Sequence, residues 1–282
     1  MSVSVRGRKA SVSAVRVVVS LLIALAAIFP IYWMLITAIR PSSQLLSPQL
    51  ALFPDGSATL EGFIGLFTQN PALTWLANST LITLGSTVLS TVISVFAGYS
   101  LSRFGGRGQQ VMGLTLLMSR MLPGSLLVIP LYVVFLNLGL VNNLFALVII
   151  NTAFIVPFTT WMLKAFFDGI PREIEEAAFV DGAGLFRTLW TIILPLSGPG
   201  IAAAVTYAAV LAWADFLFAR TLLTNQAVWP VTQGIASFMG DYRTAWNEIM
   251  ALGVVSIVPM ILLFLATERF LVSSLTAGAV KG

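Results

Sequence analysis

Long apolar runs, nearly free of charge, recur along the whole chain and leave it few ways to fold. A helix that crosses the roughly 30 Å hydrocarbon core of a bilayer needs about 20 predominantly apolar residues. Six stretches reach that length, at about 17–39, 78–101, 111–136, 143–163, 194–218 and 249–270. Charged residues make up 9% of the sequence, whereas soluble domains are about a quarter charged. Such a chain cannot cover a water-facing surface, so it reads as an all-α membrane protein with six transmembrane helices. Arg6, Arg8, Lys9 and Arg16 precede the first run, and Ala24-Leu25-Ala26 resembles a leader cleavage site. The run continues to Ile39, too long for a leader core, and is read as an uncleaved span.

Basic residues set the orientation. With a cytoplasmic N-terminus, the inner segments carry Arg6, Arg8, Lys9, Arg16, Arg103, Arg107, Lys164, Arg172, Arg187, Arg269 and Lys281, and the outer ones only Arg40, Arg220 and Arg243. That asymmetry satisfies the positive-inside rule. It divides the chain into a cytoplasmic segment 1–16, a transmembrane domain 17–272 and a cytoplasmic tail 273–282. The net charge of +4 serves orientation, and no nucleic-acid partner follows from it. With no Cys and no His, the chain lacks disulfides, a thiol nucleophile, the usual zinc ligands and a Ser-His-Asp triad. No catalytic, cofactor-binding or metal-binding residue is expected. Tyr32, Trp33 and Trp75 read as interfacial anchors, and in the outer loop 41–77 Leu60, Phe63, Ile64 and Phe67 could pack a short helix. The glycines of 102–110 follow no strand and form no dinucleotide fingerprint.

The informative segment joins spans four and five, about 164–193. Five of the chain's eleven acids lie in it, namely Asp168, Glu173, Glu175, Glu176 and Asp181. Pro171 suits a helix start, and the three glutamates sit near the positive end of the helix dipole. A short helix to Val180 follows, and Gly182 tolerates the left-handed conformation that lets the chain turn into a second helix. On the first helix Ile174, Ala177, Ala178 and Asp181 are spaced to share one face. Its small side chains, with Glu176 beside them, make a docking surface; the alternative is an amphipathic helix resting on lipid headgroups. Net acidity disfavours the lipid version, because inner leaflets are anionic.

Glu176-Ala177-Ala178, three residues, Gly182, nine residues, Ile192, one residue and Leu194-Pro195 resemble the EAA-loop signature of ABC importer permease subunits, spacing included. Asn78-Ser79-Thr80, the run Ala97-Gly98-Tyr99-Ser100-Leu101-Ser102-Arg103, Leu122-Pro123, Ile129-Pro130-Leu131-Tyr132 and the C-terminal Leu275–Gly282 resemble the carbohydrate, MalG-like branch. Trp213-Ala214-Asp215-Phe216 departs from the Trp-Asn-Glu-Phe common in that branch. The resemblance implies a type I importer permease fold. It also implies a second, different permease subunit, two ATPases that hold ATP and Mg, an extracytoplasmic solute-binding protein, a carbohydrate substrate and the inner membrane of a bacterium or archaeon. It makes Glu176, Ala177, Ala178, Asp181, Gly182 and Phe186 the ATPase-coupling residues, Lys281 a tail contact to the ATPases, and Gln226, Trp229 and Gln233 a contact to the binding protein. The chain itself has no G-x-x-x-x-G-K-[ST] loop, so ATP hydrolysis is expected on a partner.

Polar residues at membrane depth are candidates for the translocation path. Arg120 lies well inside span three, where a cavity or snorkelling to the headgroups would accommodate it. Pro123 and Pro130 remove helix hydrogen bonds and predict a broken helix. Asn151, Thr152 and Tyr207 could line a sugar path or bind helices together. Asp215 reads as meeting water, with a gate the alternative. An ion-coupled transporter or channel, the rival function, would need acids near the midplane, and the sequence offers only the peripheral Asp215.

Overall fold

The computed structural model describes the backbone of residues 3–45, 53, 54, 56–240 and 244–279, and the side chains of those between 15 and 270. In chain order the helices are α1 (Val3–Ala38), α2 (Glu61–Thr68), α3 (Ala72–Arg103), α4 (Arg107–Ser119), α5 (Gly124–Asn137), α6 (Leu144–Asp168), α7 (Arg172–Val180), α8 (Leu185–Thr188), α9 (Leu194–Leu196), α10 (Gly198–Ala214), α11 (Leu217–Leu222), α12 (Val231–Ser237) and α13 (Trp246–Ala279). A π-helical stretch, Leu189–Ile193, joins α8 to α9. Helix α1 is continuous from Val3, and α13 runs on to Ala279, so neither expected terminal segment is separated from its span by a break in the helix.

Among the described residues four helices are long and apolar enough to cross a membrane: Val15–Ala38, Ala72–Arg103, Leu144–Asp168 and Trp246–Phe270. Span three is bent, as its prolines predict, and so is span five, expected as a single rod. Helices α4 and α5 meet at 102°, and the helix Leu185–Leu196 meets α10 at 80°; counting each pair as one span gives six. The first bend falls at Arg120–Pro123, where Pro123 lacks an N–H and disfavours helical geometry in Leu122. Pro130, by contrast, lies inside α5 without ending it. At the second, Pro195 removes one donor and Pro199 another, and the backbone widens into the π stretch before turning at Ser197.

The chain divides into two compact units, Met1–Pro71 with Ser237–Val255 and Ala72–Ala236 with Ser256–Gly282. In the first, α2 forms in the outer loop as expected but buries Gly62, Gly65 and Leu66, leaving Leu60, Ile64 and Phe67 exposed. Glycine is needed at 62, because a Cβ there would lie 2.7 Å from the Ala38 carbonyl oxygen.

In the second unit α3 and α6 pack side by side and parallel. Gly85 faces Val148, the Ser94 hydroxyl lies 2.6 Å from that of Thr159, and Gly98 faces Thr160 and Lys164, so the offset along the two helices stays nearly constant. Ser79, Thr83, Ser86, Thr87, Ser90 and Ser94 are all buried on α3. Small residues allow membrane helices to approach closely where no hydrophobic force separates protein from lipid. A Cβ at Gly98 would lie 3.0 Å from the Thr160 carbonyl oxygen and 3.1 Å from the Lys164 nitrogen. Gly98→Val is therefore expected to cost about 1–3 kcal/mol by overpacking, read as a lower unfolding midpoint of the purified protein.

Candidate coupling surface and translocation path

Helix α7 starts after Pro171, whose extended backbone (φ −56°, ψ 137°) cannot continue the preceding turn, and carries Glu173 and Glu175 in its first turn. Its end is closed by a Schellman motif: the Gly182 N–H donates to the Phe179 carbonyl (3.1 Å) and the Ala183 N–H to that of Ala178 (2.9 Å). Gly182 supplies the φ of +79° that this closure requires. The helix projects from the unit with most of its side chains exposed, but its faces are not those expected. Ala178 is 6% exposed and turns inward with Glu175, so it cannot form part of the outer surface. The outward face is Glu173, Glu176, Ala177 and Val180, the last 88% exposed, with Asp181 and Phe186 exposed beyond it. The physical reason is the bonding of Glu175 to Tyr99 and Arg103, which turns inward the stripe that Glu175 shares with Ala178, three residues on.

Glu175, which the sequence reading did not single out, is the polar centre of the attachment. It is 5% exposed, yet both its carboxylate oxygens are satisfied. The Tyr99 hydroxyl donates to Oε2 at 2.7 Å, and Arg103 Nε donates to Oε1 in a buried ion pair. A second nitrogen of Arg103 donates to the Ile170 carbonyl at 3.0 Å, and Arg172 donates to the Ser102 carbonyl at 3.2 Å. Helix α7 is thereby stapled to the last turn of α3. Tyr99 and Arg103 lie four residues apart on one face of that helix; this pair is the sequence signal from which a buried acid could have been inferred.

The path candidates separate into two groups. Arg120 caps α4 at the bend, donates to the Phe154 carbonyl (3.0 Å) and the Tyr207 hydroxyl (3.1 Å), and lies 5.9 Å above the Phe158 ring. The Phe158 and Tyr207 rings are 4.4 Å apart. Asn151 and Thr152 are buried and not in this cluster; Asn151 Nδ2 and the Thr152 hydroxyl have no hydrogen-bond partner among the described residues. Asn151 lines a cavity of about 440 Å³ with Phe154, Asp215, Phe216 and Phe218. Asp215 does not simply face water: Oδ1 accepts from the Phe218 N–H at 3.3 Å, while Oδ2 is buried.

The segment expected to meet a binding protein is held by α3. The Trp75 indole donates to the Gln226 carbonyl (3.2 Å), and the Asn78 amide donates to those of Ala227 and Trp229 (3.0 Å each). Gln226 remains exposed and Trp229 half-buried. Gln233 is 1% exposed and donates to the Leu223 carbonyl at 2.8 Å, so it is an internal brace and not a contact residue. Trp75 is likewise a core residue, packed on Trp229, and not the interfacial anchor expected. Lys281 lies outside the described residues. Among the described residues no group of carboxylates is placed to hold a metal ion.

Apolar helices long enough to cross a membrane, with one exposed, anchored helix between spans four and five, define a multi-pass membrane protein. Residues 90–276 match the family of binding-protein-dependent transport system inner membrane components, and the chain belongs to it. It is 33% identical over 255 residues to the sulfoquinovosyl glycerol transport system permease protein of Agrobacterium fabrum, covering 90% of this chain and 89% of that one. It is 32% identical to the trehalose/maltose transport system permease protein of Thermococcus litoralis (93% and 95% covered) and 31% to the arabinooligosaccharides transport system permease protein of Halalkalibacterium halodurans (92% and 93%). Its fold matches a chain of a bacterial ABC transporter involved in the import of the acidic polysaccharide alginate, with a TM-score of 0.77, 22% identity, and 95% and 98% of the two chains covered. The protein is thus a multi-pass, non-catalytic permease subunit of an ABC importer, a class that works with ATPases and a solute-binding protein.

Proposed function

We propose that this chain is one half of the translocation pathway of a carbohydrate importer, paired with a second, different permease subunit, and driven by two ATPase subunits that bind ATP and Mg. The relatives' sugar-transport names support the carbohydrate class. Both termini face the cytoplasm, as the distribution of Lys and Arg supports, in the inner membrane of a bacterium or archaeon. The observation that carries the coupling role is α7 itself: an exposed helix whose outer face is Glu176, Ala177 and Val180 and whose inner face is tied to α3 through Glu175. An ATPase cleft that takes this helix can approach closely at Ala177 and pair a basic residue with Glu176. Gln226 and Trp229, held at the start of α3, contact the binding protein. The path residues are Arg120 at the bend of span three, Tyr207 of span five bonded to it, and Asn151 and Thr152 of span four.

Glu176→Lys tests the docking role. A charge-assisted hydrogen bond contributes about 1.5–3 kcal/mol, so reversing the charge is expected to reduce co-purification of the ATPase by on the order of tenfold or more. Membrane insertion, measured by protease accessibility of the loops, should stay unchanged. Recovery of the ATPase at the wild-type ratio would remove Glu176 from the interface.

A further inference from the structure

Arg120 carries a charge that nothing among the described residues balances. By distance along three helices it lies well inside the membrane-spanning segments. It follows the 13-residue α4, about 20 Å from that helix's start, while its partners Phe154 and Tyr207 lie about 15 Å along α6 and about 14 Å along α10. The hydrocarbon core is roughly 30 Å thick. Its two hydrogen bonds hold the guanidinium at this depth, which removes the option of reaching toward the headgroups.

Those partners are a carbonyl, a phenol and an aromatic ring, all neutral. Among the described residues no carboxylate is within ion-pair distance of Arg120. The side chain is exposed on the surface of the unit, over the exposed ring of Phe158, which packs at 38° against the half-buried ring of Tyr207. A cation fixed at membrane depth needs an anion or a polar cavity. A guanidinium with part of its fork unoccupied matches the geometry of a carboxylate or sulfonate.

We propose that Arg120, held by Tyr207, is an anion-recognition site in the translocation path, and that the transported carbohydrate bears a carboxylate, sulfonate or comparable anionic group. This rests on the importer reading above and narrows its substrate class. A carboxylate of the second permease subunit facing Arg120 is the competing source of negative charge, and the experiment separates the two.

The native chain has no cysteine, so Phe158→Cys gives a single thiol in this subunit, followed by mass spectrometry in the assembled transporter in nanodiscs. The probes are two methanethiosulfonate reagents, one ending in a sulfonate and one in a trimethylammonium group, each normalised to its rate with a free thiol in water. The sulfonate reagent is expected to be favoured by about tenfold or more at this separation from an unneutralised charge. Arg120→Gln should bring the ratio close to one, and Arg120→Lys should retain most of the preference. Glucuronate is expected to slow labelling of the Arg120 form, and glucose, the same ring without the carboxylate, is not. A ratio near one with Arg120 present would show that a partner's acid already neutralises it and would overturn the proposal. Equal protection by the two sugars, or protection by neither, would overturn it as well. Co-purification of the ATPase is recorded on the same samples: its absence would count against the importer reading, while the labelling ratios would still report on the anion site.

Discussion

Glu175→Ala is expected to leave the six spans inserted while breaking the link between ATP hydrolysis and uptake. The carboxylate is buried between Tyr99 and Arg103, and removing one partner of a buried ion pair costs about 3–5 kcal/mol, because the remaining charge loses its compensation. The loss should appear first as local detachment of α7 from the end of α3. The measurement is uptake per ATP hydrolysed in proteoliposomes, alongside the unfolding midpoint. Glu175→Gln, which can still accept from Tyr99, should fall between wild type and alanine. Glu175→Leu combined with Arg103→Met removes both charges and should recover much of the stability, yet not the coupling, because the polar tie between the helices is still gone. If the alanine variant keeps the wild-type uptake per ATP, Glu175 is only a stabilising residue.

Gly182→Val is expected to have the second-largest effect. A Cβ at Gly182 would meet nothing within 4 Å, so the penalty is not steric crowding by neighbours. It lies in the backbone, whose φ of +79° costs an L-residue roughly 1–2 kcal/mol and a β-branched one more. Valine should therefore open the Schellman closure and misdirect α8, and substrate-stimulated hydrolysis should no longer drive uptake. Asn, which tolerates the left-handed region, should be close to wild type, with Ala between. A ranking by side-chain volume in place of conformational tolerance would argue against this account.

The contrast between these two positions explains how much of the site could be read without coordinates. Gly182 was legible because its role is local: it needs only a helix before it and a turn after it. Glu175 was not, because its partners are 76 and 72 residues away, and three neighbouring glutamates look alike until one is buried. The same distinction accounts for Gln233 and Trp75. An amide and an indole near a loop read as surface groups, but Gln233 braces Leu223 from inside and Trp75 packs on Trp229 and donates to Gln226. Proline chemistry located the bend at Pro123 and overstated Pro130, because a lost hydrogen bond breaks a helix only when the backbone also leaves helical geometry, as it does at the extended Pro123. Apolar length gave the number of crossings but carries no signal for the angles within them.

The parallel association of α3 with α6 has a mechanical corollary. Helix α7 is continuous in sequence with the end of α6 and bonded to the end of α3, so a force on it enters two rods joined along their length by small-residue contacts. Paired beams bonded at their seam resist flexing far better than either beam alone. A thrust delivered at α7 is therefore transmitted as a rigid tilt of the pair, and compliance is left to the creases at Arg120–Pro123 and Ser197.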